Sequence, residues 1–201
     1  MMKTDTNNSI TTDTNIAAPT FNSRHSINGL AEILNWMTSQ GYDQDELLAD
    51  TGISPTRLSD PRSTLRAKEA LTFYQNLIHV SQDPHIIMKA GMNLKISAYG
   101  IWGLALLSSP TFGKAIELGI QYIDFTYTYN QISLFIEADQ AGLRISKSSD
   151  LGELQQHMIE RDLSAIYVLF QTLLQNTAPL EEIRLAWTPS PADDSYETLF
   201  S

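Results

Sequence analysis

Cysteine is absent from the 201 residues, which excludes disulfide frameworks, thiolate zinc sites, iron–sulfur clusters and cysteine nucleophiles. Basic residues are scarce: 13 Lys and Arg stand against 23 Asp and Glu, a formal net charge of −10. So acidic a chain repels phosphate backbones unless its few cations gather on one face, because nonspecific nucleic-acid affinity comes mainly from Lys and Arg neutralising phosphates. Long apolar runs are lacking too. The two longest, Ile101 to Leu107 and Leu163 to Leu174, are too short or too polar to span a bilayer, which takes about 20 apolar residues. No basic segment followed by an apolar one marks a secretory leader, so the expectation is a cytoplasmic chain with no membrane partner. There is no G-x-S-x-G elbow and no glycine-rich phosphate loop, the run Gly100 to Gly103 being too short and too apolar for one. The four histidines, His25, His79, His85 and His157, fall in separate segments without metal-motif spacing. The sequence therefore predicts no enzyme, no metal and no cofactor.

What is present is one amphipathic, mostly helical domain. Residues 1–22 are Thr, Asn, Ser and Asp with almost no large apolar side chain and read as a disordered N-terminal tail. From residue 23 to 201 the pattern is that of a folded unit. Ser26 can cap a helix carrying Ile27, Leu30, Ala31, Leu34 and Met37, closed by Gly41. Asp43 with Glu46 opens a short helix stopped by Gly52, and Ser54-Pro55 starts one further turn. A helix over residues 65–80 presents Ala70, Phe73, Tyr74, Leu77 and Ile78, and another restarts after Asp83-Pro84. Residues 99–107 read as a buried segment whose glycines, Gly100 and Gly103, allow a close neighbour, and Thr111 caps the helix that follows.

The period then changes. Ile132, Leu134 and Ile136 alternate with Ser133, Phe135 and Glu137, a turn is expected at residues 139–142, and alternation resumes at Leu143 and Ile145, a β-hairpin. A long amphipathic helix over residues 153–175 carries Leu154, Met158, Ala165, Ile166, Leu169, Phe170, Leu173 and Leu174 near one face, and Ile183, Leu185 and Trp187 alternate as a third strand. The fold class expected is α+β, mostly helical, with a small sheet of hairpin plus one further strand. A final helix begins near residue 193, and Leu199 and Phe200 have little left to pack against, so the chain is expected to be a piece of a longer protein.

Three features bear on function. Glu160-Arg161-Asp162 is a polar triplet within an amphipathic helix, read as a solvated face or an internal ion pair. Residues 47–58 imitate a helix-turn-helix, but Pro61 cuts the second helix short and only Arg57 and Arg62 are on offer, so two capped turns packing on the first helix is the better reading. The third is aromatic: Tyr99, Trp102, Tyr122, Phe125, Tyr127, Tyr129 and Phe135 cluster within residues 99–135. Such rings line small-molecule pockets or fill a plain core, and their spacing alone favours the core.

The run Gly100-Ile-Trp-Gly-Leu-Ala-Leu-Leu-Ser-Ser-Pro-Thr-Phe-Gly-Lys-Ala-Ile-Glu-Leu-Gly-Ile-Gln-Tyr122 resembles the signature of the N-terminal effector domain in one branch of the AraC family of bacterial transcription regulators, often labelled arabinose-binding-like. The likeness extends in order from about Ile27 to Ser201, through Gly41 to Leu48 and Gly52-Ile-Ser54, the helix after Asp83-Pro84, the hairpin and the long helix. Lys114 departs from the acidic residue expected three positions after Thr111. The resemblance implies the sensing and dimerising half of a regulator whose basic, C-terminal helix-turn-helix domain, absent here, contacts DNA.

The aromatic segment has few charges, which suits an apolar, amphipathic or amino-acid-derived effector better than a sugar. The expected pocket walls are Tyr99, Trp102, Tyr122, Phe125 and Phe135, with Arg144 as an anion anchor. A homodimer is expected through the long helix, where Ile159, Tyr167 and Val168 lie off the main apolar stripe. The alternative function is a structural dimerisation module with no effector.

Overall fold

The computed structural model describes residues 24–137, 140–147, 151–175, 180–189 and 194–200; the expected tail, residues 1–22, lies outside them. The first described elements are a strand, β1 (Arg24–Ser26), and α1 (Asn28–Ser39). The N-cap of α1 is Ile27, one residue later than expected, while the Ser26 hydroxyl accepts from the Asn28 N–H at 3.3 Å. Two short helices follow, α2 (Gln44–Leu48) and α3 (Pro55–Leu58). Their caps are those the sequence offers: Asp43 Oδ1 accepts from the N–H groups of Asp45 and Glu46, and Ser54 Oγ accepts from Arg57 N.

A second strand, β2 (Thr64–Arg66), takes the first residues of the expected long helix and pairs antiparallel with β1, Leu65 opposite His25. Then come α4 (Ala67–Ser81), α5 (Ile86–Met92), a 3₁₀ turn over Ile96–Tyr99, α6 (Gly100–Leu107) and α7 (Phe112–Gln121). Thr111 caps α7, its Oγ1 accepting from Lys114 N at 3.2 Å. After a second 3₁₀ turn, Ile123–Phe125, the hairpin consists of β3 (Gln131–Glu137) and β4 (Gln140–Ser146). Its strands run closer to the turn than the sequence suggests, with Ala141 and Gly142 inside the ladder opposite Ile136 and Phe135. The long helix is α8 (Leu154–Leu173), and α9 (Ser195–Phe200) is the last.

Most of the core lies among α1, α2, α4, α5 and α8, around Ile33, Met37, Phe73, Leu77, Ile87 and Met158. Helices α5 and α8 pack backbone to backbone: a Cβ on Gly91 would fall 2.1 Å from Ser164 Oγ and 2.6 Å from the Arg161 carbonyl oxygen. A smaller second core joins Trp102, Leu106, Ala115 and Leu169 from α6, α7 and α8.

Three expectations are corrected. Residues 182–187 form no strand; Ile183, Leu185 and Trp187 are partly buried while their neighbours are exposed. Alternation there reports one-sided burial, not a hydrogen-bonded partner. Residues 99–107 are not buried all round: Trp102, Gly103 and Leu106 are, but Ile101 is 87%, Leu104 63% and Leu107 51% exposed. The two glycines differ in purpose, since Gly103 sits against the Ile96 carbonyl, where a Cβ would come within 2.2 Å, whereas Gly100 turns the chain at φ +55°. Finally, Phe200 does have a partner, its ring standing edge-on to Tyr167 at 5.3 Å.

Candidate functional site

Helix α8 passes through the interior with three consecutive charged residues, Glu160, Arg161 and Asp162, each no more than 5% exposed. The solvated-face reading fails and the internal ion pair holds: Arg161 donates to Asp162 Oδ1 through Nε at 3.1 Å and NH2 at 2.5 Å. Arg161 also donates to Tyr74 Oη at 3.0 Å and to the Tyr127 carbonyl at 2.7 Å, and lies over the Tyr74 ring. The other carboxylate oxygen of Asp162 accepts from Thr128 Oγ1 at 2.5 Å and Asn130 Nδ2 at 2.8 Å. The pair thereby supplies hydrogen bonds to residues 126–130, a buried loop whose polar groups would otherwise be unmet. From the other side His25 Nδ1 donates to the Thr126 carbonyl at 2.5 Å, and Tyr127 Oη donates to the Ala98 carbonyl.

Beside this network are two cavities of about 40 Å³ each that share Trp102, Ile123, Ile132, Ile166 and Leu169 as walls. One reaches Tyr99, Thr126, Thr128, Arg161 and Asp162; the other is enclosed by Leu106, Ala115, Ile120, Leu143, Phe170 and neighbours. Together they form a cleft, polar at one end and apolar at the other, between α6, α7, β3 and α8.

Of the six residues the sequence proposes for a pocket, the structure brings Tyr99 and Trp102 to the cleft, rings 5.2 Å apart. Tyr122 and Phe125 face solvent at 45% and 72% exposure. Phe135 and Arg144 lie on the hairpin face opposite Ile132, where the guanidinium stacks on the Phe135 ring at 5.6 Å and the ring covers Gly142. The cleft residues the sequence reading missed are Arg161, Asp162, Thr126, Thr128 and Ile132.

Glu160 faces away from the cleft network. It accepts from Tyr196 Oη at 2.5 Å and Gln156 Nε2 at 2.8 Å, and His157 Nδ1 lies 3.5 Å from its other oxygen. Burial acts to raise this carboxyl, but the donors His157, Tyr196 and Gln156 outweigh it and hold it below the usual carboxylate value. Tyr196 in turn accepts from Trp187 Nε1 at 3.1 Å, so residues 187 and 196 are tied to the same turn of α8.

The apparent helix-turn-helix is spent on structure. Arg57 makes a two-pronged ion pair with Glu69 at 2.8 and 3.0 Å, and Arg62 pairs with Asp60 at 3.3 Å. Among the described residues no three His, Asp or Glu converge as metal ligands, and no helix is long and apolar enough to cross a membrane.

The cleft lies beside the main helical core, and its two buried charges, Arg161 and Asp162, neutralise each other. Comparison with known proteins supplies the family. Residues 41–201 match the family described as the arabinose-binding domain of AraC transcription regulators, N-terminal, and the chain belongs to it. It is similar to an ornithine utilization regulator of Pseudomonas aeruginosa, 25% identical over 161 residues, which are 80% of this chain and 47% of that protein. Uncharacterised helix-turn-helix-type transcriptional regulators of Mycobacterium tuberculosis and Mycobacterium bovis are each 24% identical over 144 residues, 71% of this chain and 42% of theirs. The chain thus spans less than half the length of these relatives. No solved structure matches it.

Proposed function

We propose that this chain is the sensor domain of an AraC-type transcription regulator. A small effector enters the cleft, and two copies pair through the outward face of α6, which places attached DNA-binding domains. The observation that carries the reading is the two-faced helix α6: Trp102 and Leu106 wall the cleft, while Ile101, Leu104 and Leu107 on the same eight residues face solvent. Each cavity, at about 40 Å³, is far smaller than the roughly 150 Å³ that takes a benzene-sized molecule. An effector must therefore move a wall, and α6 with α7 is the wall that belongs to the smaller core. Binding then shifts the population toward whichever position of α6 the effector prefers. The name of the Pseudomonas relative, a regulator of ornithine utilization, supports control by a small metabolite.

The smallness of the cavities favours one other reading, a pairing module with no effector. A thermal-shift screen of small metabolites separates the two. A ligand at about 100 times its Kd adds about 2.7 kcal/mol, which for a domain of this size raises Tm by roughly 5–10 °C. A broad screen that moves Tm nowhere leaves the pairing module standing.

A further inference from the structure

The polar groups lining the cleft are, with one exception, already in use. Arg161 and Asp162 neutralise each other and hold residues 127, 128 and 130. Thr126 Oγ1 donates to the Ile123 carbonyl at 2.7 Å, Thr128 Oγ1 donates to Asp162, Tyr127 Oη is taken by Ala98, and Trp102 Nε1 donates to the Gly119 carbonyl at 3.3 Å. The exception is Tyr99. Its ring lies 5.2 Å from that of Trp102 and 5.1 Å from that of Tyr127, tilted to both, and lines the cavity, and its hydroxyl makes no hydrogen bond to any described residue. The side chain is partly buried, and burial pushes its ionisation far above the ordinary tyrosine value, with the positive charge of Arg161 acting in the opposite sense. A phenylalanine would fill the same space but offer the cavity no hydrogen-bonding group.

We infer that the cleft selects an uncharged, largely apolar effector carrying one hydrogen-bonding group, a carbonyl or hydroxyl, which the Tyr99 hydroxyl meets. This rests on the sensor reading above and narrows it. A charged ligand would lose its hydration and find no free counter-charge, since Arg161 and Asp162 already complete each other. A sugar would bring several hydroxyls to a cleft with one open polar group. The aliphatic end, Leu106, Ile120, Leu143 and Leu173, takes the apolar body of the ligand.

The test is binding of 2-alkanones of four to eight carbons to the whole chain, by calorimetry and thermal shift, beside octanoate, L-ornithine and L-arabinose. The expected result is that the ketones bind and the other three do not. Tyr99→Phe is expected to weaken ketone binding roughly 3- to 10-fold while the Tm of the unliganded protein stays level or rises, which keeps a loss of binding distinct from a loss of folding. Equal ketone binding by wild type and Tyr99→Phe overturns the role of the hydroxyl. Binding of octanoate, ornithine or arabinose in preference to the ketones overturns the neutral class but leaves a sensor domain. Binding of no probe overturns the inference, and the sensor reading is then judged separately by the metabolite screen.

Discussion

His25 shows how one side chain joins distant parts of this fold and gives it a pH dependence. It sits on β1, 4% exposed, with its Nδ1–H on the Thr126 carbonyl and its ring edge-on to Tyr129. Burial, and after it the charge of Arg161, hold the imidazole below the usual histidine value, against the pull of the Thr126 carbonyl and of Asp124 and Asp162. The folded protein therefore keeps His25 neutral where the unfolded chain protonates it. The contribution to stability is complete above the unfolded value of about 6.5 and is lost as pH falls through it toward the lower folded value. Urea midpoints taken at about pH 7.5 and about pH 5.5 are expected to fall on acidification, and by less in His25→Gln. An equal fall in both proteins would show that His25 does not carry the effect.

The elements were legible to different degrees, and α8 shows why. Caps at Asp43, Ser54 and Thr111 were readable because one side-chain oxygen three residues before a free N–H is a local signal. The β1–β2 pair was not, because three-residue strands 40 positions apart carry no periodicity. In α8 the stripe Leu154, Met158, Ala165, Leu169 steps by seven from Met158 to Ala165, and Arg161 and Asp162 fill that interval at the same helical spacing. Charges at stripe positions were the visible sign of a buried pair, and with it of the cleft's polar end. Phe135 and Arg144 were likewise separable in advance from Ile132, since strand parity turns them to the other face. The energetic weight of the pair follows from its burial. Arg161→Met leaves Asp162 charged and uncompensated and is expected to cost about 3–5 kcal/mol, read as a lowered urea midpoint. Adding Asp162→Asn, which removes the stranded charge but keeps an acceptor for Thr128 and Asn130, is expected to recover part of that loss. A single variant as stable as wild type would mean that the loop at residues 126–130 does not depend on the pair.

At the scale of the whole molecule, the proposed pairing of two copies must be reconciled with a net charge of −10 on each. Like charges oppose association, so the contact must bury none. Helix α6 meets that condition, since Gly100–Leu107 contains no ionisable side chain and its outward face is Ile101, Leu104 and Leu107. Two copies related by a twofold axis near Leu104 would set Ile101 of one against Leu107 of the other, a self-complementary arrangement. The positions first expected to pair on α8 are less available: Ile159, Tyr167 and Val168 are partly buried, and Tyr167 is covered by Phe200. Sedimentation of the wild-type chain at micromolar concentration is expected to show a dimer that tightens between about 0.1 M and about 1 M salt, as the Debye length shrinks from about 10 Å to about 3 Å. Leu104→Lys is expected to give a monomer with an unchanged Tm, because that side chain is 63% exposed and supports no core. Since α6 also walls the cleft, each bound effector that changes dimer affinity by some factor must itself bind the dimer and the monomer with affinities differing by that same factor. Wild-type chain that stays monomeric at every salt concentration removes the pairing role of α6. A dimer that survives Leu104→Lys but is lost on Val168→Lys moves the interface to α8 and uncouples it from the wall of the cleft.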